Sequence, residues 1–445
     1  MANLMELSPE EISLRARRGE LTVVVVGLGW MGLPTACLYA KAGARVIGVD
    51  KNRKLVEAVN AGACPVEEPE LPGLLKEAVK AGRLRATARF SEAVPEGDAV
   101  LVVVPTTVTL AKKSDYSALT QACREIGGNL RPGSCVIVES TCEPGTTEGL
   151  VRQTLERFSG LEAGVDFALA HSPIRAKAGT SVKDLQTYVR VVGGLNEKSA
   201  EAAGAVKSLI AKGGVLKVSG ARTAEAVKLF EAVYRDVNIA LSNELAALCE
   251  RIGVDYVEAM EAANTQPYSH LHVPGVGVGG HCLPVYPYLL ASRAEEEGVK
   301  LKLIKLARKI NESMPRHALR LAAGALRECG KTFRRAKVAV LGLAYRANVK
   351  ETRGSPALEL ARLAERRGAK VTVFDPKYTL SEVEAMGFRS KPTLRMVLER
   401  ADCAIITVAH EEFKALRPND FGARMARPAA LVDCAHVLDP RGVEG

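Results

Sequence analysis

Gly27-Leu28-Gly29-Trp30-Met31-Gly32 stands directly between the apolar run LTVVVVGLG (21–29) and the helix-forming segment GLPTACLYAKAGA. That placement constrains the fold more than any other feature of the chain. In a strand–turn–helix of this form the first glycine allows a tight turn, the second lets backbone approach a pyrophosphate, and the third lets the helix pack close on the strand. The helix N-terminus then offers free N–H groups and the positive end of its dipole to phosphate. Asp50 ends the next strand, RVIGVD, 18 residues beyond Gly32. A carboxylate there accepts hydrogen bonds from an adenosine ribose diol and repels a 2′-phosphate. The pattern predicts an NAD site on Gly27, Leu28, Gly29, Trp30, Met31, Gly32 and Asp50, with Lys51 and Arg53 leaving NADP as a minor alternative.

The rest of the chain continues the same architecture. AVLVVVP (99–105), SCVIVEST (134–141), DFALAHSP (166–173) and YVRVVGG (188–194) are further strand-like runs separated by helical segments. Alternation of this kind predicts a parallel α/β sheet. From 223 to about 252 the period changes. Val227, Phe230, Tyr234, Val237, Leu241, Leu245 and Leu248 form one apolar stripe on a helix about 40 Å long. Lys228, Glu231, Arg235, Asn238 and Ser242 form a polar seam opposite it. The expectation is that the stripe is buried, between domains or at a two-fold dimer interface. A second α/β unit starts near Lys337, with AKVAVLGLAY, KVTVFDP, ADCAIITVAH and ALVDCAHVLDP as its strand-to-loop runs. The fold class expected is α/β, two Rossmann-like doubly wound parallel-sheet domains joined by a central long-helix region. The expected boundaries are 1–222, 223–335 and 336–445.

Charge and cysteine usage narrow the class. The net charge of +10 is concentrated between Lys300 and Lys370, where 19 Lys/Arg face 5 Asp/Glu. The stretch lacks interleaved aromatics and any nucleic-acid-reading motif. A solvated helical surface or a patch for an anionic small molecule such as a nucleotide diphosphate is expected, and no nucleic-acid partner. The apolar runs are strand-sized, and the first twenty residues contain no apolar h-region, so neither a membrane span nor a secretory signal is expected. Ten cysteines are scattered without a C-x-x-C or a Cys/His cluster at zinc spacing. Free thiols in a reducing cytoplasm, and no metal, are the expectation.

One cysteine differs from the others. Val273-Pro274-Gly275-Val276-Gly277-Val278-Gly279-Gly280-His281-Cys282-Leu283-Pro284 cannot be a regular helix or strand. Such a loop brings backbone close to a ligand and fixes one thiol at its tip. His281 beside Cys282 is a candidate cation for raising its thiolate fraction, although sequence neighbours often point apart. The other cysteines, Cys142 and Cys249 included, read as inert buried hydrophobes.

These motifs resemble the nucleotide-sugar 6-dehydrogenases of the UDP-glucose/GDP-mannose dehydrogenase family. The resemblance rests on GLGWMG, VPTT (104–107), ESTCEPGTTE (139–148), KLFEAVYRDVNIALSNE (228–244), GVGVGGHCLPVYPY (275–288) and LGLAYRANVKETRGSPALEL (341–360). YRDVNIA with GVGGHC looks closest to the UDP-N-acetylmannosamine branch. The resemblance implies an NAD-binding N-terminal domain, a central dimerisation region carrying the cysteine loop, and a UDP-binding C-terminal domain. It also implies a four-electron oxidation of a sugar C6 alcohol to a carboxylate with two NAD. By the same resemblance Cys282 is the nucleophile, Lys228 stabilises oxyanions or relays protons, and Thr141 holds the catalytic water. Thr106 and Thr141 lie on the nicotinamide side, and Arg353 contacts cofactor. Lys228, Arg235, Arg175, His272, Gly275, Gly279 and Arg346 are the substrate-side candidates, and a homodimer through the central helix is expected.

The chain departs from the family pattern at several positions. Ile174 stands where a Glu is common, Ala232 where an Asn lies four residues after the helix lysine, and Tyr286 where an Asp follows the cysteine. Val273 replaces an arginine, and Val285 stands where some members have a lysine. Three readings follow: a UDP-sugar dehydrogenase, a binding protein on the same scaffold with little turnover, and a dehydrogenase of small 3-hydroxy acids. The last leaves the second α/β unit and the cysteine loop without a task.

Overall fold

The computed structural model describes residues 3–439. Its contacts divide the chain into two compact units, Met1–Glu231 with Tyr288–Gly298, and Ala232–Pro287 with Val299–Gly445. The first unit is built on β1 (Thr22–Val26), β2 (Arg45–Val49), β3 (Leu84–Thr87) and β4 (Ala99–Val102). A short antiparallel pair, β5 (Thr107–Val108) and β6 (Ser114–Asp115), follows β4. Then come β7 (Cys135–Val138), β8 (Ala168–His171), β9 (Arg190–Gly194) and β10 (Val215–Lys217). The sheet order is β10-β9-β8-β7-β4-β1-β2-β3. TVVVV in β1 is buried throughout. Val23 and Val25 join one apolar cluster and Val24 and Val26 another, because successive side chains point to opposite faces and helices cover both.

The expectation of an all-parallel series fails at one place. β8 and β9 pair antiparallel, Ala170 opposite Gly194 and His171 opposite Gly193, while β9 and β10 are parallel to each other. β9 and β10 lie at the end of the sheet, where a mainly parallel sheet tolerates reversed strands. The apolar run YVRVVGG fixes strand character but not direction. Charge is also sealed into this unit: Lys207 and Glu139 form a fully buried pair, with the Lys207 ammonium 5.9 Å from the Tyr39 ring centroid.

The second unit carries a sheet of four parallel strands, β11 (Lys337–Leu341), β12 (Lys370–Phe374), β13 (Cys403–Ile406) and β14 (Ala430–Asp433), in the order β12-β11-β13-β14. It repeats the construction of the first. β11 runs into Gly342 at φ 100°, as β1 runs into Gly27 at φ 95°. The N–H groups of Leu343 and Ala344 donate to Asp375 at the end of β12, as that of Leu28 donates to Asp50 at the end of β2.

The long helix forms as Ala221–Ile252, and the division between the units falls within it. Within the chain much of the apolar stripe is exposed, in keeping with the second of its two expected places, a two-fold interface, and not with the first. Phe230, Tyr234, Leu241 and Leu248 are exposed at 60%, 57%, 45% and 53%. The covered face includes Asp236, Ala240, Ser242 and Asn243, so Ser242 of the polar seam is inside. Hydrogen bonding explains the polar inner face. Arg308 donates to Asp236 at 2.6 Å, Asn311 donates to Asp236 Oδ1 at 2.9 Å, and Asn243 donates to Asn311 at 3.0 Å. A hydrogen-bonded polar network can be buried where periodicity alone assigns the large apolar residues, even though Asp236 Oδ2 and Arg308 Nε have no partner within it. Among the described residues no helix is long and apolar enough to cross a membrane.

Candidate functional site

In the first unit the residues expected to hold a dinucleotide come together at the C-terminal ends of β1 and β2. The Gly27 N–H donates to the Val49 carbonyl at 2.7 Å. A Cβ on Gly27 would strike the Val103 carbonyl oxygen, and one on Gly32 would fall onto the carbonyl oxygen of Gly27. Around Gly29, by contrast, a Cβ would meet nothing within 4 Å. Two glycines are therefore demanded by the protein itself, and Gly29 leaves its backbone open to a ligand. Leu28 acts as a plug: its side chain is buried against Gly48, and only its backbone N–H reaches Asp50, at 2.9 Å. Trp30 and Met31 are half-buried against the core. Asp50 accepts from Leu28 N–H through Oδ2 and from Asn52 N–H through Oδ1. The residues present fit NAD: an open glycine, a helix N-terminus and a partly exposed carboxylate.

Asp50→Asn tests that fit. The substitution keeps one acceptor but loses the charge that strengthens a bond to a ribose diol. NAD affinity is expected to fall by ~1–3 kcal/mol. Trp30, the single tryptophan, provides the fluorescence signal, and unchanged NAD affinity in a folded variant removes Asp50 from the site.

Thr106 and Thr141 also meet. The Thr106 hydroxyl donates to the Thr141 carbonyl at 2.5 Å, and Val104 N–H donates to Ser140 Oγ at 2.9 Å, tying the loops after β4 and β7. Arg175 is engaged within this unit: it pairs with Glu231 at 2.6 Å and donates to the Val189 carbonyl at 3.0 Å. Ile174, where the resemblance leads one to expect a Glu, is part of the apolar core. Lys228 is half-buried on the long helix.

The second unit builds the cysteine loop from tight backbone contacts. Gly280 has φ +90°, and its N–H donates to the Arg353 carbonyl at 2.9 Å. A Cβ on Gly279 would lie 2.6 Å from Cβ of Tyr345. Val285 and Tyr286 N–H groups close the turn onto the Cys282 carbonyl at 3.0 and 2.8 Å. Burial pushes the Cys37, Cys123, Cys135, Cys403 and Cys434 thiols up to about 12, which keeps them protonated. Cys282 is only partly buried and hydrogen-bonds His281, a contact that raises the His281 pKa against the opposing effect of burial. The adjacent pair therefore does interact. Gly275 N–H donates to Asn243 Oδ1 at 2.9 Å, and His272 N–H to Ser242 Oγ at 3.0 Å. Burial first, then the charges of His270 and Arg235, hold the His272 pKa down. Arg346 and Arg353 both act on Tyr345 electrostatically. Tyr286 and Ala232, like Ile174, are buried.

Sequence reading missed one cluster. Cys142, His171 and Glu225, all buried, have Sγ, Nδ1 and a carboxylate oxygen within 4.8 Å of one another. Their separation in sequence gave no metal-ligand spacing, and Cys142 reads there as structural.

The comparisons with known proteins span both units. Three family models match in order: the UDP-glucose/GDP-mannose dehydrogenase family NAD binding domain at residues 21–210, the central domain at 222–313 and the UDP binding domain at 339–440. The chain is 38% identical to the UDP-N-acetyl-D-mannosamine dehydrogenase of Pyrococcus horikoshii, over 94% of this chain and 96% of that one. The solved structure of that archaeon's UDP-D-ManNAc dehydrogenase superposes with a TM-score of 0.87, covering 94% and 96% of the two chains. An NDP-N-acetyl-D-galactosaminuronic acid dehydrogenase of Ralstonia nicotianae is 34% identical over 95% and 96%. A UDP-glucose dehydrogenase structure from Pyrobaculum islandicum gives 0.84 at 30% identity, covering 94% of each chain.

Proposed function

As a chain that belongs to the UDP-glucose/GDP-mannose dehydrogenase family, and so an NAD-dependent oxidoreductase, the protein oxidises, we propose, the C6 hydroxyl of UDP-N-acetylmannosamine to the carboxylate. The observation that carries the reading is Cys282, a partly buried thiol on a loop where Gly279 and Gly280 leave no room for a side chain. A two-electron dehydrogenase needs no positioned thiol; a four-electron one does. Bound NAD supplies one thing, an acceptor for hydride from carbon, and two NAD are used per sugar. Loss of a hydride and the hydroxyl proton gives the aldehyde. The Cys282 thiolate adds to it, forming a C–S bond and an oxyanion. Loss of a second hydride gives the thioester, and water displaces the thiol to release the acid. Lys228 stabilises the developing oxyanions. Thr141, held by Thr106 through its carbonyl, is the water-side residue. With Ile174, Ala232 and Tyr286 all buried, Thr141 and Lys228 take the tasks that Glu, Asn and Asp share elsewhere.

The domain roles proposed are NAD binding for 1–222, dimerisation and the cysteine loop for 223–335, and UDP binding for 336–445. Arg175, Arg235, His272, Gly275, Gly279 and Arg346 are assigned to the substrate, Arg353 to the cofactor, and the compartment to the cytoplasm. NADH formation at 340 nm across UDP-N-acetylmannosamine, UDP-N-acetylglucosamine, UDP-glucose and UDP-galactose tests the reaction. Two NADH per UDP-N-acetylmannosamine supports it. Fast turnover of another sugar moves the specificity, and binding without NADH from any sugar favours a protein that holds these ligands with little turnover.

The exposed face of the long helix supports a homodimer. Phe230, Tyr234, Leu241, Leu248 and Ile252 fall within about 40° of one another at 100° per residue and are all exposed. Leu241→Glu is expected to yield monomers by light scattering, since an isologous contact places both new charges in one interface. An unchanged native mass places the dimer contact elsewhere.

A further inference from the structure

Glu225 is a buried carboxyl group that the proposed chemistry does not use. It lies fully inside the first unit, three residues before Lys228 on the long helix. Its Oε2 accepts from Gly145 N–H at 2.5 Å, and its Oε1 from Thr147 N–H at 2.7 Å and from the Cys142 thiol at 3.7 Å. Gly145 has φ +100°, so the turn presents its N–H groups only because a glycine is there. Each of these partners is a donor, so the arrangement is that of a carboxylate. The turn they belong to starts immediately after Thr141. One side chain therefore joins the backbone behind Thr141 to the helix turn ahead of Lys228.

We infer that Glu225 is a positioning residue for this dehydrogenase: its carboxylate clamps the Thr141-bearing turn onto the helix that carries Lys228. The inference rests on the proposed roles of Thr141 and Lys228. Both partners of the clamp belong to the same unit.

The clamp has a built-in sensitivity to pH. Burial raises the Glu225 carboxyl to about 7, outweighing the hydrogen bonds from Thr147 and Gly145 that favour its ionised form. The groups facing it are Cys142, His171 and Glu148. Burial holds Cys142 as a thiol and His171 neutral, its pKa lowered to about 3, while Glu148 pairs with Arg222 at 3.0 Å. Of Cys142, His171 and Glu225, only the last changes charge near neutrality. As the pH falls through 7 a proton occupies an oxygen at which an N–H is aimed, and the clamp loosens. Cys142, His171 and Glu225 could also be read as metal ligands. The carboxylate, however, is already filled by the amide donors, and Thr147 Oγ1 stands 3.2 Å from His171 Nδ1.

The experiment compares kcat between pH 5.5 and 8.5 for the wild type, Glu225→Gln, Thr141→Ala and Lys228→Ala, with KM for the UDP-sugar and NAD affinity from Trp30 fluorescence. Glu225→Gln is expected to lower kcat on the order of 10–100-fold, as misplacement of a reacting group does. It should leave KM and NAD affinity within about twofold and flatten the acid limb of the kcat profile near pH 7. Glu225→Asp keeps the charge on a shorter stem and is expected to keep the acid limb at reduced kcat; it serves if the Gln variant does not fold. A wild-type profile in Glu225→Gln overturns the clamp. So does a lower melting temperature with kcat and its pH dependence unchanged, which is a purely structural role. Stoichiometric zinc in the purified protein, lost in Glu225→Gln and in Cys142→Ala, also overturns it. Wild-type kcat in Thr141→Ala and Lys228→Ala overturns the underlying assignment instead, and removes what the clamp would position.

Discussion

Replacing Cys282 by serine is expected to stall the reaction as an ester on residue 282, with NAD and substrate binding preserved. A serine hydroxyl can still add to an aldehyde and the adduct can still lose a hydride. Its ester is a far poorer acyl donor to water than a thioester, so a substrate-derived mass increment should accumulate and be visible by intact mass. Cys282→Ala should form no adduct, release at most aldehyde, and make acid slower on the order of 10⁴-fold, the scale seen when a nucleophile is removed. Lys228→Ala should slow acyl transfer with Cys282 present, by ~3 kcal/mol for an oxyanion that has lost its cation. Cys249→Ala should turn over normally. Wild-type acid formation by Cys282→Ala would move the nucleophile elsewhere and leave the glycine loop a structural role.

Gly32→Ala carries the second large effect. A methyl group at Gly32 collides with the carbonyl oxygen of Gly27, a backbone atom that cannot swing aside as a flexible side chain would. The start of the helix Gly32–Lys41 must move off β1, and with it the N–H groups assigned to the pyrophosphate. With strain of about 3 kcal/mol, NAD affinity is expected to drop about a hundredfold. The melting temperature should fall too, while far-UV circular dichroism keeps its native shape. Gly29→Ala is the internal contrast. It meets no protein atom within 4 Å, so its melting temperature should stay put while NAD binding weakens. Equal loss of stability in both variants would mean that Gly29 is a packing glycine like Gly32.

The strands and the glycine loop were legible because both depend on local chemistry. β1, β4, β7 and β8 fall within the apolar runs that announce them, and positive φ at Gly27 answers the demand of the turn. What was lost depended on partners distant in sequence. The long helix was found, but its inward face was not. Asp236, Ser242 and Asn243 go inside because Arg308, Asn311 and the His272 N–H hydrogen-bond to them, and no periodicity records such partners. The direction of β9 was invisible because an apolar strand reads the same either way. Glu225 carries no signal in the sequence, because what holds it inside is the pair of amides of Gly145 and Thr147, about 80 residues earlier in the chain.

The two sheets turn out to be one device issued twice, with different outlets. Asp50 and Asp375 each cap a second strand and each hold the N–H that follows a left-handed glycine. Asp50 retains an accessible edge. Asp375 is sealed at 1% exposure, with the His410 ring 3.2 Å away acting as its stopper. That histidine, the leading influence against burial, keeps the Asp375 carboxyl below the usual carboxylate range. A ribose diol could dock on the first carboxylate but would have to evict an imidazole to reach the second. The molecule thus carries its own negative control for dinucleotide recognition, in which the same unit of strand, glycine and acid is retained as masonry once its socket has been plugged.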